Sequence, residues 1–237
     1  MRTKEGVVCM GSVTKIRMSG LGGQGVVTAA HILGHAAAIS GFESTVNPFF
    51  GAEKRLAPAE SYVRISEDRI YERGEILSPD IIMIFHPHVI TQGKCYTMPF
   101  FEGMQNDGTM LINCDQYIQL KPDEAEKLKR LNTKIYYVPA TKIASEVGGT
   151  ELSANIAMLG ALLEITRLVD MDSFEIALKE RFGGAKFIAS GTTAALDDAV
   201  KGKYAKTTQL IENNMKIVRA AAQSVRRYRL DEEAQYA

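Results

Sequence analysis

Three glycines, Gly20, Gly22 and Gly25, have the spacing G-x-G-x-x-G between a predicted strand and a predicted helix. Glycine lets the backbone approach a diphosphate closely, and a helix N-terminus favours an anion, so this turn could bind phosphates. Three interpretations are open: a dinucleotide site, an anion-binding turn of another kind, or a turn that only lets helix and sheet pack. A dinucleotide site also requires an acidic residue where the second strand ends, and residues 46–48 there read Val-Asn-Pro.

Five further polar residues are candidates for a binding site. Gln24 starts the helix after the glycines, and its amide could contact a ligand or a neighbouring backbone. Asn155 could likewise pair a buried backbone group or face a ligand. Glu53, Lys54 and Arg55 form a charged triplet between apolar neighbours, and they could face a phosphate, contact another subunit or lie exposed on the surface.

Metal and nucleophile chemistry has weaker support. His86 and His88 flank a proline after a buried strand, where parallel sheets collect ligands, but no third metal ligand is evident and a structural role is favoured. The three cysteines, Cys9, Cys95 and Cys114, are widely spaced and form no C-x-x-C motif. Three cysteines are too few for an iron–sulfur cluster with four cysteine ligands from this chain. The sequence also contains no recognisable Ser/His/Asp or Cys/His catalytic arrangement.

The composition of the chain indicates which classes of partner and which cellular compartment to expect. Lys plus Arg and Asp plus Glu both number 28, so the formal net charge is zero and neither nucleic acid nor a membrane is expected as a partner. No apolar run approaches the roughly 18 residues of a membrane span. The first residues contain no adequate apolar region for a signal peptide, and the cysteine pattern suits a reducing compartment. A cytoplasmic protein is therefore expected.

Strand patterns alternate with helix patterns along most of the chain. Strands are predicted at 14–20, 44–50, 59–70, 78–87, 108–114 and 133–140, and helices at 25–41, 122–131, 153–169 and 172–182, the last with Asp172 as a candidate N-cap. This alternation predicts a three-layer α/β/α fold with a mainly parallel sheet and a Rossmann-like glycine turn. We expect an N-terminal extension at 1–12, the α/β domain at 13–193 and a helical C-terminal extension at 194–237.

The C-terminal extension contains a narrow apolar stripe between Tyr204 and Leu230. Its members recur about every 3.5 residues, the spacing of one helix face. They are Ile211, Asn214, Val218, Ala221, Val225 and Tyr228. We predict a helix that docks on a partner subunit or on a second copy of the complex; the alternatives are a helix folded back on its own domain and a disordered tail.

Four motifs, in order, resemble the gamma subunit of the 2-oxoacid:ferredoxin oxidoreductases. They are S-G-L-G-G-Q-G-V-V-T-A-A-H-I-L at 19–33, N-P-F-F-G-A-E-K-R-L-A-P-A-E-S-Y-V-R-I-S-E-D-R-I at 47–70, S-P-D-I-I-M-I-F-H-P at 78–87 and N-I-A-M-L-G-A-L-L-E-I at 155–165. The second is most similar to the pyruvate, 2-oxoisovalerate and aryl-oxoacid branch. Two residues depart from the family pattern: Lys54 replaces an arginine, and Leu56 replaces a glycine, which predicts a loop that turns differently.

The resemblance implies a specific function. These enzymes convert a 2-oxoacid and coenzyme A to acyl-CoA and CO2 and pass two electrons to ferredoxin or a similar acceptor. Alpha, beta and delta subunits hold thiamine diphosphate, Mg2+ and [4Fe–4S] clusters, whereas the gamma chain holds none of these alone and assists coenzyme A binding. On this interpretation no residue here is catalytic, and the candidate binding residues are Gly20, Gly22, Gly23, Gln24, Gly25, Glu53, Lys54, Arg55 and Asn155. The alternatives are a free-standing NAD-dependent oxidoreductase and a purely structural assembly subunit.

Overall fold

The computed structural model describes residues 13–50, 56–183 and 194–230. The strands are β1 Thr14–Leu21, β2 Glu43–Phe50, β3 Pro58–Ser66, β4 Ile81–Ile84, β5 Thr109–Asn113, β6 Lys134–Val138 and β7 Arg226–Tyr228. The helices are α1 Val26–Ile39, α2 His88–Thr91, α3 Pro122–Arg130, α4 Ala140–Gly148, α5 Ala154–Thr166, α6 Met171–Gly183 and α7 Ala194–Ser224. No helix in this part of the chain is both long enough and apolar enough to cross a membrane.

One mixed sheet organises the molecule, in the strand order β2-β3-β1-β4-β5-β6-β7. Its centre, β1-β4-β5-β6, is parallel, and both margins are antiparallel. The predicted α/β fold with a mainly parallel sheet is confirmed. One margin departs from a Rossmann fold: after α1 the chain forms β2, then returns as β3, which lies between β2 and β1. The strand beside β1 on that side is therefore antiparallel to it.

The two faces of the sheet are covered unequally. Alternate residues of the strands, such as Ile16, Met18 and Met83, face a large core formed with α1, α4, α5, α6 and α7. The opposite face of the parallel strands packs on α2, α3 and irregular segments, which bury a smaller set including Phe101 and Leu128. Over β1 and β3 this second face contacts the loop of residues 93–103.

The C-terminal extension folds back on its own domain. Helix α7 packs against α5, α4 and α6, and its side chains Asn214, Met215, Ile217, Val218 and Ala221 are buried. The prediction that the apolar stripe docks on a partner is therefore wrong. Met215 and Ile217 widen the stripe, so that it fits the apolar surface of α5. After α7 the chain adds β7 antiparallel to β6, a strand that the sequence patterns did not predict.

Close approach of α7 to α5 depends on Gly160. A Cβ atom added at this position would lie 2.6 Å from the carbonyl oxygen of Val218 and 2.8 Å from its Cα. Helix α5 is buried along its length from Asn155 to Leu163, because the sheet side covers one face and α7 covers the other. The Leu-Gly-Ala sequence in this helix is thus explained by packing.

Candidate functional site

The glycine turn follows β1 and is hydrogen-bonded to the residues that precede β3. The backbone N–H of Gly22 donates to the carbonyl of Ala57 over 2.8 Å, and the N–H of Leu56 donates to the carbonyl of Gly22 over 3.3 Å. These bonds continue the β1–β3 ladder, whose last pair is Leu21 with Pro58. The first two sequence motifs therefore meet in space as one structure.

Gln24 closes the turn. Its side-chain Oε1 accepts a hydrogen bond from the N–H of Leu21 over 3.0 Å, and its own N–H donates to the Leu21 carbonyl over 3.2 Å. Of the two roles considered for this amide, the backbone role is observed. Gln24 holds the shape of the turn.

Two of the glycines are explained by packing. A Cβ atom at Gly20 would lie 2.7 Å from Val26 Cγ2 and 2.9 Å from Phe85 Cβ. Gly25 has a φ of 72°, and a Cβ atom there would lie 2.5 Å from Asn155 Nδ2. Asn155 is buried, and its amide donates to the Gly25 carbonyl over 3.3 Å. Asn155 therefore supports the turn from α5, which is the backbone role considered for it.

Gly23 differs from these packed glycines. Its φ is 95°, and a Cβ atom there would meet no atom of the described residues within 4 Å, so these residues leave the turn open on this side. Helix α1 begins directly behind it, with no side-chain cap and no acidic residue in its first turn. Uncapped N–H groups and the helix dipole both favour an anion at such a position. The open side of the turn is therefore the part suited to phosphate.

Leu56 takes the backbone conformation of a glycine. Its φ is 58°, and its side chain is 63% exposed. The premise that leucine avoids a positive φ is not met here, because Leu56 is in the left-handed region; that this loop turns differently from the family pattern stays a prediction. Glu53, Lys54 and Arg55 lie outside the described residues, between the end of β2 and this position.

A groove of about 580 Å³ runs along the carboxyl ends of the parallel strands, with Gln24 and His86 among its lining residues. Such an edge is the usual ligand position in an open α/β sheet. Its charged lining side chains are Asp115, Lys142, Glu146 and Glu151. Three carboxylates against one ammonium, which itself lies 4.0 Å from Glu146, make the groove unfavourable for a diphosphate.

His86 lines this groove and meets the ring of His88 edge to face, with centroids 4.4 Å apart and planes at 68°. The backbone N–H of His88 donates to His86 Nδ1 over 3.1 Å, which assigns the proton of a neutral His86 ring to Nε2. Burial, followed by the positive charges of His88 and Lys94, lowers the pKa of His86. No group of three His, Cys, Asp or Glu side chains suited to a metal occurs among the described residues.

A buried charged cluster on the second sheet face was missed by the sequence analysis. Arg17 on β1 is fully buried and donates to the carbonyls of Phe100 and Glu102, each over 2.9 Å. Glu60 on β3 is also fully buried and accepts from the N–H groups of Tyr96 and Thr97 over 3.2 and 3.3 Å. Together they fasten the loop of residues 93–103 to the sheet.

The opposite charges of Arg17 and Glu60 offset the cost of burying each of them. Burial lowers the pKa of Arg17, and the negative charge of Glu60 opposes that effect, so each charge stabilises the other. Tyr62 donates to Glu60 Oε2 over 2.8 Å, and burial together with Glu60 raises the pKa of this tyrosine. The available sequence signal was Arg17 itself, a charge between the apolar residues Ile16 and Met18 of a strand.

Comparisons with known proteins agree with this geometry. The family model "Pyruvate ferredoxin/flavodoxin oxidoreductase" matches residues 15–197. The common subunit gamma of the pyruvate/ketoisovalerate oxidoreductases of Pyrococcus abyssi is 39% identical over 170 residues, which cover 72% of this chain and 87% of that protein. The pyruvate synthase subunit PorC of Methanothermobacter marburgensis is 37% identical over 170 residues, with coverage of 72% and 87%.

The fold has solved counterparts as well. The crystal structure of pyruvate oxidoreductase subunit PORC from Thermotoga maritima matches with a TM-score of 0.65 at 22% identity, over 92% of this chain and 99% of that chain. The chain belongs to the pyruvate ferredoxin/flavodoxin oxidoreductase family. Within that family it is a gamma-type subunit of an oxidoreductase complex.

Proposed function

We propose that this chain assists coenzyme A binding in a multisubunit 2-oxoacid:acceptor oxidoreductase. The complex would convert a 2-oxoacid and coenzyme A to acyl-CoA, CO2 and a proton, with two electrons passed to ferredoxin or a similar acceptor. The names of the relatives, which act in pyruvate and ketoisovalerate oxidoreductases, support this reaction class. We further propose that the complex is cytoplasmic, in keeping with the cysteine pattern.

Alpha-, beta- and delta-type partners would hold the thiamine diphosphate, Mg2+ and [4Fe–4S] clusters of the reaction. The donor set of this chain does not fit a cluster, since it has only three cysteines. Cys95 and Cys114 belong to no group of three metal-binding side chains among the described residues. Burial also raises the pKa of the Cys95 thiol to about 11, whereas a metal ligand is a thiolate.

The open side of the glycine turn is the observation that supports a role in coenzyme A binding. The diphosphate would lie at Gly23, against the first turn of α1, where the helix dipole favours negative charge. Gly20, Gly22, Gly25, Gln24 and Asn155 would hold the turn in shape, and the acidic groove would not receive the diphosphate. For Lys54 and Arg55 the proposal rests on sequence: their charges would neutralise the phosphates, and Glu53 would contact a partner subunit.

The glycine turn can be tested with a matched pair of variants at the two ends of α1. Gly23 and Gly41 both have a left-handed φ, 95° and 87°, and a Cβ atom at either would meet no atom within 4 Å in the part of the chain that the structure describes. Gly23→Ala and Gly41→Ala therefore introduce the same backbone strain, but only Gly23 faces the proposed ligand. In the assembled complex we expect Gly23→Ala to weaken coenzyme A binding by up to about fivefold, since an anion at a helix N-terminus is typically worth about 0.3–1 kcal/mol.

Isothermal titration of both complexes with coenzyme A measures this effect. Gly41→Ala should leave the dissociation constant unchanged while lowering stability as much as Gly23→Ala does. Equal dissociation constants for the two variants would refute a ligand role for the turn.

Assembly is tested separately: a tagged copy of this chain, expressed with the genes that neighbour it, should co-purify with chains that bring thiamine diphosphate and iron. Isolation of the chain alone would contradict the proposed partners.

A further inference from the structure

The groove at the carboxyl ends of the strands is adjacent to the glycine turn. Gln24, which follows Gly23 in the chain and holds the shape of the turn, is one of the residues that line the groove. The turn also contacts the end of β4, because the N–H of Phe85 donates to the carbonyl of Ser19 over 2.8 Å. The next residue, His86, lines the groove as well. The turn and the groove therefore share Gln24 and form one continuous surface.

The topology of the sheet favours a ligand in this groove. From β1 the chain continues through α1 to β2 on one side, whereas from β4 it continues to β5 on the other side. In open α/β sheets, ligands bind outside the carboxyl ends of the strands at such a switch point. The groove begins there and extends past the ends of β5 and β6, where Asp115 and Pro139 line it. Three strand spacings of about 4.8 Å give it a length of about 14 Å.

The charges of the groove oppose a phosphate but suit an uncharged chain rich in hydrogen-bond donors. The carboxylates of Asp115, Glu146 and Glu151 repel a diphosphate, yet each accepts hydrogen bonds from amide and hydroxyl groups. The pantetheine arm of coenzyme A has this chemistry, with two amides, one hydroxyl and a terminal thiol but no charge. The groove volume of about 580 Å³ is also in the range of small-molecule sites.

Two side chains at the end of the groove near the turn offer donors for the carbonyl oxygens of such an arm. Gln24 Oε1 accepts from the N–H of Leu21, so its amide hydrogens point away from the turn backbone. His86 Nδ1 accepts from the N–H of His88, which leaves Nε2–H as the donor of this ring. The near end of the groove thus supplies donors, and the remainder supplies mainly acceptors.

We propose that this groove holds the pantetheine arm of coenzyme A, with His86 Nε2–H donating to the arm, and that its carboxylates fix the direction in which coenzyme A binds. This proposal rests on the proposed function, in which the diphosphate lies at the glycine turn. An extended chain gains about 1.2 Å per bond, so the arm, about 12 bonds from phosphate oxygen to sulfur, spans about 14 Å. The arm and the groove therefore agree in length. The thiol leaves the groove beyond β6, and the thiamine-bearing partner must approach at that end.

Ser145→Phe in the assembled complex provides the test, with Val147→Phe as its matched control. Both residues lie on α4 and both are exposed, but only Ser145 lines the groove. Two residues apart on a helix, they point to opposite sides, so the same ring enters the groove from one position and solvent from the other. Isothermal titration uses three probes: coenzyme A, ADP and pantetheine, which lacks the adenosine diphosphate part.

The three probes separate the arm from the diphosphate. We expect Ser145→Phe to weaken coenzyme A and pantetheine about tenfold and to leave ADP unchanged, whereas Val147→Phe binds all three like the unaltered complex. Gly23→Ala should show the opposite pattern, with weaker coenzyme A and ADP but unchanged pantetheine. The two sites of one ligand thereby give two different signatures.

A second pair of variants tests the hydrogen bond of His86 and decides the matter if Ser145→Phe does not assemble. His86→Phe keeps a ring but removes the donor, so we expect coenzyme A and pantetheine to bind about fivefold more weakly. His86→Gln keeps an N–H donor and should recover most of this loss. ADP should bind equally well to both variants.

Three results would overturn the assignment of the groove. The first is unchanged pantetheine binding in both Ser145→Phe and His86→Phe. The second is an equal loss of ADP and pantetheine, because the damage would then not be specific to the arm. The third is equal affinity of the unaltered complex for ADP and coenzyme A, since the arm would then contribute nothing. If Gly23→Ala still weakens coenzyme A in these cases, the proposed function stands and only the groove assignment fails.

Discussion

The side-chain amide of Asn155 donates to the backbone carbonyl of Gly25 over 3.3 Å, although 130 residues separate them in the sequence. Gly25 is in the left-handed conformation, and Asn155 occupies the space where a Cβ atom of residue 25 would lie. The third glycine of the turn and the asparagine of α5 are therefore one structural unit. Asn155 explains why residue 25 is a glycine, and the Gly25 carbonyl explains why residue 155 has an amide.

A double-mutant cycle tests this unit. Gly25→Ala should destabilise the protein by about 2 kcal/mol, since it adds left-handed strain and a clash with the Asn155 amide. Asn155→Ala removes the clashing group and one hydrogen bond, at a cost of about 1 kcal/mol. The double variant should be more stable than the sum of the two effects predicts, as measured by urea unfolding. Strict additivity would show that the two residues do not share this space.

Leu56 stores backbone strain that glycine would relieve. A leucine at φ 58° lies in a region that costs non-glycine residues roughly 1–2 kcal/mol, and its side chain is largely exposed. Leu56→Gly should therefore raise the free energy of unfolding by about 1 kcal/mol, even though glycine makes the unfolded chain more flexible. Leu56→Ala, which keeps the strain, is the control and should change stability by less than about 0.5 kcal/mol. A destabilised Leu56→Gly would contradict the assignment of strain.

Arg17 is the residue whose loss should damage the second sheet face most. Arg17→Leu leaves two carbonyls without donors and Glu60 without a nearby buried counter-charge, so we expect a loss of about 3 kcal/mol or more. Adding Glu60→Gln removes the uncompensated charge and should recover part of that loss. Denaturant unfolding of the single and double variants measures both effects. A double variant less stable than Arg17→Leu alone would argue against charge as the cause.

His86 makes stability depend on pH on the acidic side. Burial lowers its pKa in the folded protein below the ordinary value of 6.5, so the unfolded chain takes up the proton first as the pH falls. The stability associated with the neutral ring is present above pH 6.5 and is lost as the pH falls through the lower folded value. His86→Gln removes this contribution. Between pH 7 and pH 5 the variant should lose less stability than the unaltered protein; parallel losses would refute the lowered pKa.

The parts of the fold predictable from sequence are those set by local patterns. Apolar runs such as Ile81–Ile84 indicated buried parallel strands, and the alanine-rich segment after Gln24 indicated α1. The prediction that Asp172 is the N-cap of α6 is wrong. Asp170 instead accepts a hydrogen bond from the N–H of Ser173 over 2.8 Å, so the helix begins at Met171. Both aspartates fit the N-cap preference, and only the tertiary position of the chain distinguishes them.

What the sequence could not provide were relationships between distant segments. Placement of β3 between β2 and β1 depends on which strand edge is free, a property that no local pattern encodes. The same holds for Arg17, which is an ordinary strand residue until the carbonyls of Phe100 and Glu102 meet it. In the candidate site, residue types were predictable, but their roles were not. Gln24 and Asn155 bond to backbone, and the charged lining of the groove comes from three different segments.

The C-terminal extension should be indispensable for folding of this chain. Deletion from Lys203 onward removes Ile217 and Val218, which are fully buried against the domain, and the edge strand β7. We expect the truncated chain to be insoluble or unfolded, as judged by circular dichroism and urea titration. Ile217→Ala should lower the free energy of unfolding by about 2–4 kcal/mol, whereas Leu210→Ala, at an exposed position of the same helix, should cost less than about 1 kcal/mol. A truncated chain that folds with unaltered stability but no longer joins its partners would restore the docking interpretation, because the buried contacts of α7 would then contribute nothing to the domain itself.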